Sequence, residues 1–308
     1  MPTRRSFLKS SAASLVALAC DTKRERQASG TVMKDSQLSS FRGATAWINS
    51  TPITQSDLFG RVALVQFWTF TCINWIRTLP YLRAWDERYR RAGLSIVGVH
   101  TPEFAFEHAI GNVRRAAAAM KVDYPIAVDS DNAIWNGFNN EYWPALYLFD
   151  ADGQPRYHKF GEGDYDTTER TIQRLLGEAG DRVPDRQLTR VDGRGLELPA
   201  DWADLKTPET YLEKGRATPR RITQTFHARD LNLVMGPPTG VHDVRFRVTL
   251  DGRPPGESHG LDVDEQGNGV AQEQQIYQLI RQPKPIVERT FEIEFLDPGI
   301  EAFVFTFG

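Results

Sequence analysis

The run Val62-Ala63-Leu64-Val65-Gln66-Phe67-Trp68 is short and nearly continuously apolar. A run of this kind reads as a strand buried on both faces, which requires a covering layer on each side. Residues 72–91 follow as a helical stretch with Leu79, Leu82, Trp85 and Tyr89 at spacings of three and four, and Pro80 is expected to bend it. Residues 94–99 read as a second buried strand, 103–120 as a helix and 124–129 as a short extended piece. Residues 145–149 and 156–160 flank Asp152-Gly153, the strongest hairpin cue in the chain, and 166–176 close the unit as a helix. This alternation predicts an α/β sheet with helices on both faces.

The period changes in the last ninety or so residues. From Arg221 onward it is two: Val244, Phe246, Val248 and Leu250 alternate with Arg245, Arg247 and Thr249 before the turn at Asp251-Gly252. Phe291, Ile293 and Phe295 alternate with Glu292 and Glu294, and Phe303, Phe305 and Phe307 repeat the pattern. Short half-buried strands with polar turns predict an antiparallel β-sandwich. The expected organisation is a sandwich over 219–308 joined to an α/β unit over 41–180 by a polar, proline-bearing linker over 181–218. A length of 308 residues accommodates two such units.

The first residues read as an export address. Thr3-Arg4-Arg5-Ser6-Phe7-Leu8-Lys9 matches the twin-arginine pattern, and the apolar run after it is about half of the roughly 20 residues that span a bilayer. Ala17-Leu18-Ala19 fits a signal-peptidase site, so 1–19 are expected to be removed; Ala19-Cys20 resembles the end of a lipobox. Both a soluble periplasmic protein and a lipoprotein held to the membrane through Cys20 stay open. Residues 20–40 are polar and without period, and read as a flexible tether.

Composition narrows the function. With 37 Lys plus Arg against 40 Asp plus Glu, a net charge of −3 and a pI near 6.1, the chain offers no bulk field for a nucleic acid. Two cysteines exclude a disulfide scaffold and a four-cysteine zinc site. The six histidines show no metal-binding spacing, and neither metal nor cofactor is expected. Asp262, Asp264, Gly267 and Glu273 match part of a calcium loop, but Gln266 breaks the pattern and the flanks are not helical, so a hairpin loop is expected.

The stretch FWTFTCINW puts Cys72 directly after a buried strand and at the start of a helix that Pro80 interrupts, and Tyr142-Trp143-Pro144 precedes a later strand. With VGVHTPEFAFE and FGEGDYD, these phrases resemble the thioredoxin fold, and more closely the extracytoplasmic redoxins related to TlpA and to the C-terminal region of DipZ. The resemblance implies a thioredoxin-like α/β domain followed by a carbohydrate-binding-module-like sandwich, and chemistry on protein or small-molecule thiols and disulfides. It implies that Cys72 is the attacking thiol and that Pro144 is a cis-proline facing it. The redoxins carry several tens of residues between the equivalents of Ala217 and Ile222, so a truncated sandwich with a compromised sugar site is expected.

One departure dominates. The family motif is C-x-x-C, whereas here Cys72-Ile73-Asn74 is followed by Trp75. A thiol at a helix N-terminus is expected to be stabilised as thiolate, and a second Cys at i+3 would resolve its mixed disulfide. Trp75 supplies no sulfur, so a dithiol cycle within one chain is not expected. Three readings stay open for Cys72: a one-cysteine redox centre reset by an outside thiol, a peroxiredoxin-like peroxidase suggested by Thr69 but lacking a Pro at Val65, or an inert residue on a binding scaffold. Trp68, Trp75 and Trp143 are expected either to line an apolar substrate-binding surface around the thiol or to pack in the core. His100 and Glu103, after the second strand, are expected to neighbour Cys72 or to cap the next helix.

Overall fold

Alternate residues of β2 (Val62–Trp68) face two different layers, which is why the whole strand is buried. Val62, Leu64 and Trp68 enter one cluster with side chains of α1 (Ile73–Ile76), α2 (Leu79–Tyr89), α3 (Ile110–Ala119) and α5 (Tyr165–Glu178). Ala63, Val65 and Phe67 enter another with α4 (Ala133–Phe138) and a 3-10 turn at Gln37–Gly43. The sheet runs β1 (Ala46–Ile48), β4 (Ile126–Val128), β3 (Leu94–His100), β2, β5 (Ala145–Phe149), β6 (Pro155–Phe160). β2, β3 and β4 are parallel; β1, β5 and β6 run antiparallel to their neighbours. This is a thioredoxin-like α/β arrangement. The computed structural model describes residues 36–181, 183, 186–212, 218–238 and 240–308, so the twin-arginine motif, Cys20 and nearly all of the expected tether lie outside the described residues.

Several elements differ from the periodicity. The helix expected over 72–91 is two helices, since α1 stops at Ile76 and α2 starts at Leu79 with Pro80 in its first turn. Pro lacks an N–H and is tolerated where no intrahelical donor is needed, so the expected bend is a break instead. The stretch 103–120 likewise divides into a 3-10 turn at Ala105–His108 and α3. Leu38, inside the segment read as tether, is buried in the 3-10 turn at Gln37–Gly43.

The remaining elements form two antiparallel sheets enclosing a second core. One runs β11 (Asn268–Ala271), β10 (Val244–Leu250), β13 (Arg289–Phe295), β8 (Arg221–Phe226); the other runs β12 (Gln275–Arg281), β9 (Asp230–Gly236), β14 (Glu301–Phe307), β7 (Thr210–Tyr211). The alternating Val244, Phe246, Val248, Leu250, Phe291, Ile293 and Phe295 fill the space between them. β9 is buried on both faces. Its Leu231, Leu233 and Met235 point into the sandwich core, while Val234, with Ile276 and Val304, packs into the cluster built on α1 and α2. The sandwich is therefore seated directly on the helical layer that carries Cys72.

The described part of the linker is docked against this assembly. Arg83 makes paired 2.7 Å bonds to Glu197, and Thr189 donates both its N–H and its hydroxyl to Glu169. The calcium-like segment is only in part a hairpin loop: Asp262 and Asp264 lie in the connection between β10 and β11, where Asp264 accepts from the Asn268 N–H at 2.8 Å and Asp262 from the Gln278 N–H at 2.7 Å, whereas Glu273 lies beyond β11 and pairs with Arg115. Among the described residues no helix is long and apolar enough to cross a membrane.

Candidate functional site

Cys72 ends the loop that leaves β2 and caps α1 with an extended backbone, φ −74° and ψ 108°. Its N–H donates to the Thr69 carbonyl at 3.2 Å, and its own carbonyl accepts from Ile76 at 3.0 Å. It is a free thiol with partial exposure. The electrostatic surroundings act against the thiolate. Burial drives the thiol well above its ordinary value and the carboxylates of Glu209 and Glu103 act in the same direction, against backbone N–H groups of Trp75 and Asn74 that favour the charged form. With four residues, α1 supplies little macrodipole to offset a sulfur set among apolar side chains and two acids.

The neighbour of the thiol is anchored by a buried acid. Thr71 donates its hydroxyl to Glu107 Oε1 at 2.6 Å, and Glu107 Oε2 accepts from the N–H groups of Glu103 at 2.7 Å and Phe104 at 2.9 Å. Burial pushes the Glu107 carboxyl up, while its hydrogen bonds from Thr71 and the turn backbone oppose the shift. The loop after β3 is thereby tied to the residue before Cys72. No sequence cue singled out Glu107, since a capping acid and a site-anchoring acid share one spacing.

Trp75 stands three residues after Cys72, where the resemblance implies a second cysteine. Its indole is fully buried, stacks on Trp68 at 4.1 Å and 22°, and donates Nε1 to Gln66 Oε1 at 2.9 Å. Gln66 in turn donates to Thr78 Oγ1 at 3.0 Å, and Thr78 donates to the Trp75 carbonyl at 2.7 Å. This closed ring satisfies every one of those polar groups inside the core.

The expectation that Trp68, Trp75 and His100 bind substrate does not hold, because each is 0% exposed and faces the core. His100 lies between Trp68 at 4.8 Å and Phe70 at 5.7 Å, its ring nitrogens have no hydrogen-bond partner, and burial pushes its pKa down to about 3. It is a neutral core residue. Trp143 is half-buried against Trp135 at 4.3 Å. The Trp143–Pro144 peptide is cis, as the resemblance implies. Pro144 is buried and lines a small cavity with Gln66, Thr78, Leu146 and Tyr165, on the side occupied by the Trp75 ring system.

Two features come from chain segments far from the motif. Arg77, in the break between α1 and α2, is buried; it pairs with Glu162 at 3.0 Å and donates to the Phe307 carbonyl at 3.1 Å, pinning β14 to the site. Tyr211, from the linker, donates its hydroxyl to Glu103 at 2.6 Å. The Glu103 carboxylate acts on the Cys72 thiol electrostatically.

Comparison with known proteins places these observations in context. The family described as "Thioredoxin like C-terminal domain" matches residues 212–308, which here form most of the sandwich. Protein DipZ of Mycobacterium tuberculosis is 42% identical over 179 residues, covering 57% of this chain and 25% of that protein. Thiol-disulfide oxidoreductase YkuV of Bacillus subtilis is 33% identical over 137 residues, 44% of this chain and 91% of the relative. Human NHL repeat-containing protein 2 is 26% identical over 238 residues, 74% of this chain and 31% of that protein. The chain thus spans about a quarter of the length of DipZ and nearly all of YkuV.

Proposed function

Because the chain belongs to the thioredoxin-like thiol-disulfide oxidoreductases, we propose that it works in thiol redox chemistry through Cys72 alone, without an internal dithiol cycle. The observation that carries this reading is the placement of the one thiol among the described residues, partly exposed, on the loop that follows the central strand and at the N-cap of α1.

The chemistry balances with one sulfur. The Cys72 thiolate attacks one sulfur of a disulfide R–S–S–R′, forms Cys72–S–S–R and releases R′–S⁻, while the Cys72 proton passes to solvent. A thiol from outside then attacks the mixed disulfide, leaves as the oxidised partner and returns Cys72 to the reduced state. Protein or small-molecule thiols and disulfides are the partners this implies. Incubation with glutathione disulfide followed by intact mass tests it: a single adduct that disappears in Cys72→Ser supports the reading.

A second reading is favoured by one specific observation, the locked Trp75–Gln66–Thr78 ring beside a thiol held in its neutral form. Under it the fold is a non-catalytic binding scaffold and Cys72 stays unmodified. The peroxidase version has Thr69 three residues before Cys72 but Val65 where that motif has a Pro. The working compartment is proposed to be the periplasm, reached by the twin-arginine route from Arg4-Arg5, with lipidation of Cys20 as an open branch. Arg4→Lys with Arg5→Lys should leave precursor in the cytoplasm, and Cys20→Ala distinguishes a lipid-held from a soluble product by membrane fractionation.

A further inference from the structure

His100 ends β3 in register with Trp68, the last residue of β2, at the point where the loop to Cys72 begins. Its imidazole is 0% exposed, 4.8 Å from the Trp68 ring at 83° and 5.7 Å from the Phe70 ring at 17°. Phe70 lies two residues before Cys72, and it also meets Phe106 at 5.8 Å. The loop backbone is fixed at both ends: Thr101 donates its N–H to the Trp68 carbonyl at 3.0 Å, and Cys72 donates its N–H to the Thr69 carbonyl at 3.2 Å. Phe70 thus seats the loop from Thr69 to Cys72 on the flat face of the imidazole.

That ring breaks a rule of core packing. Among the described residues neither of its nitrogens has a hydrogen-bond partner, whereas buried polar groups are ordinarily paired. A neutral ring tolerates this, but an imidazolium carries a full charge and two donors and has no place between two aromatic side chains. Protonation therefore has to move the ring out, and Phe70 then loses the surface it stacks on. The titratable groups on the elements packed around the ring are Cys72 on the loop, Glu107 and His108 on the turn after β3, and Asp129 directly after β4. His108 opposes a charge on His100, as burial does. Glu107 and Asp129 are bound to Thr71 and Thr101, and burial raises both carboxyls, so acid neutralises them in the folded state and leaves no carboxylate to pair with an imidazolium.

We propose that His100 is an acid-released catch on the loop that carries Cys72: the neutral ring holds Phe70 and the loop in place, and protonation drives the ring out and exposes Cys72 to external thiols and disulfides. Its role as regulation of the site rests on the reading of Cys72 as a reactive thiol. His100 acts through Phe70 and is a positioning residue. The folded ring resists the proton down to about 3, whereas an exposed ring accepts it near 6.5. The closed loop is therefore fully stable above about pH 6.5 and loses stability as pH falls towards the folded value. One proton taken up on opening raises the opening constant about tenfold per pH unit within that window.

The test is hydrogen exchange of the full chain between about pH 4 and about pH 7, read by mass spectrometry and corrected for the intrinsic pH dependence of exchange. It compares wild type, His100→Phe and His100→Asn. In wild type, protection of the segment holding the Cys72 N–H should fall about tenfold per pH unit below about pH 6, while β10 in the sandwich core keeps its protection. Neither variant should show that slope, and His100→Asn covers the case in which Phe overfills the site. Wild-type protection that stays constant to about pH 4, the same slope in either folded variant, or parallel loss in β10 would overturn the catch. Glutathione adduct formation on Cys72 at mildly alkaline pH, measured on the same wild-type protein, separates the two claims. An acid slope with no adduct keeps the catch and removes the redox function, whereas an adduct with no slope keeps the function and removes the catch.

Discussion

The indole N–H of Trp75 donates a 2.9 Å hydrogen bond to the side-chain carbonyl of Gln66, on the strand that delivers Cys72. That bond explains why the residue three positions after the thiol is not simply a lost cysteine. Gln66 is a polar side chain in the centre of a buried strand, and the indole and Thr78 together satisfy it. Trp75→Cys should therefore lower stability by about 3–5 kcal/mol, through a cavity beside Trp68 and a Gln66 carbonyl left without its donor. Denaturant unfolding checks this, and Trp75→Cys with Gln66→Leu should recover part of the loss.

Arg77 and Glu162 form a buried pair that also reaches the last strand through the Phe307 carbonyl. Arg77→Ala leaves Glu162 charged and uncompensated, at a cost of about 3–5 kcal/mol, whereas Arg77→Met paired with Glu162→Gln should cost much less. Because Arg77 joins the α/β layer to β14, unfolding monitored separately in the two layers should lose coincidence in the single variant. Coincident transitions with unchanged midpoints would contradict the pinning role.

Glu107 should matter for stability in proportion to its three hydrogen bonds. Glu107→Gln sets an amide donor against the donors of Thr71, Glu103 or Phe104, at an expected cost of about 1–3 kcal/mol. Its carboxyl is raised in the folded state by burial, so its stabilising contribution is present below the unfolded-state pKa and is lost as pH rises through the folded one. The wild type's advantage over Glu107→Gln should shrink from acid towards neutral pH in chemical denaturation. An advantage that grows over that range would reverse the assignment.

The extent to which this was legible in the chain depended on how many layers each element touches. β2 was readable because both its faces meet apolar layers, and β10 because one face meets the sandwich core and the other solvent. β9 also meets two layers, but the second is the α/β unit, which local periodicity cannot report. β1, with three residues, and α4, with six, are too short to express a period. At the site, the strand–Cys72–helix order and the cis Pro144 were legible through the family resemblance. The thiol's surroundings were not, because Glu209 and Tyr211 arrive from the linker and Glu107 from a turn that resembles an ordinary cap.

The pH response of Cys72 follows from its neighbours. Burial, then Glu209 and Glu103, hold the thiol above its ordinary value, and only the thiolate attacks. The rate of alkylation should keep climbing from about pH 8 to about pH 10, where an unperturbed thiol would level near 8.5. Glu103→Gln removes one negative charge and should shift the whole profile to lower pH. A wild-type profile that levels below the ordinary thiol value would show that the backbone N–H groups of Trp75 and Asn74 win over burial.

The central claim is that Cys72 carries out thiol–disulfide exchange with one sulfur. The most direct measurement is intact mass of the reduced protein after prolonged exposure to glutathione disulfide at mildly alkaline pH, followed by addition of an external thiol. The account predicts one glutathione per chain, located on Cys72, absent in Cys72→Ser and removed completely by the external thiol. A wild-type protein that stays unmodified while the same chain, unfolded in denaturant, takes up the adduct at Cys72 would contradict it and leave the binding scaffold as the function of this fold.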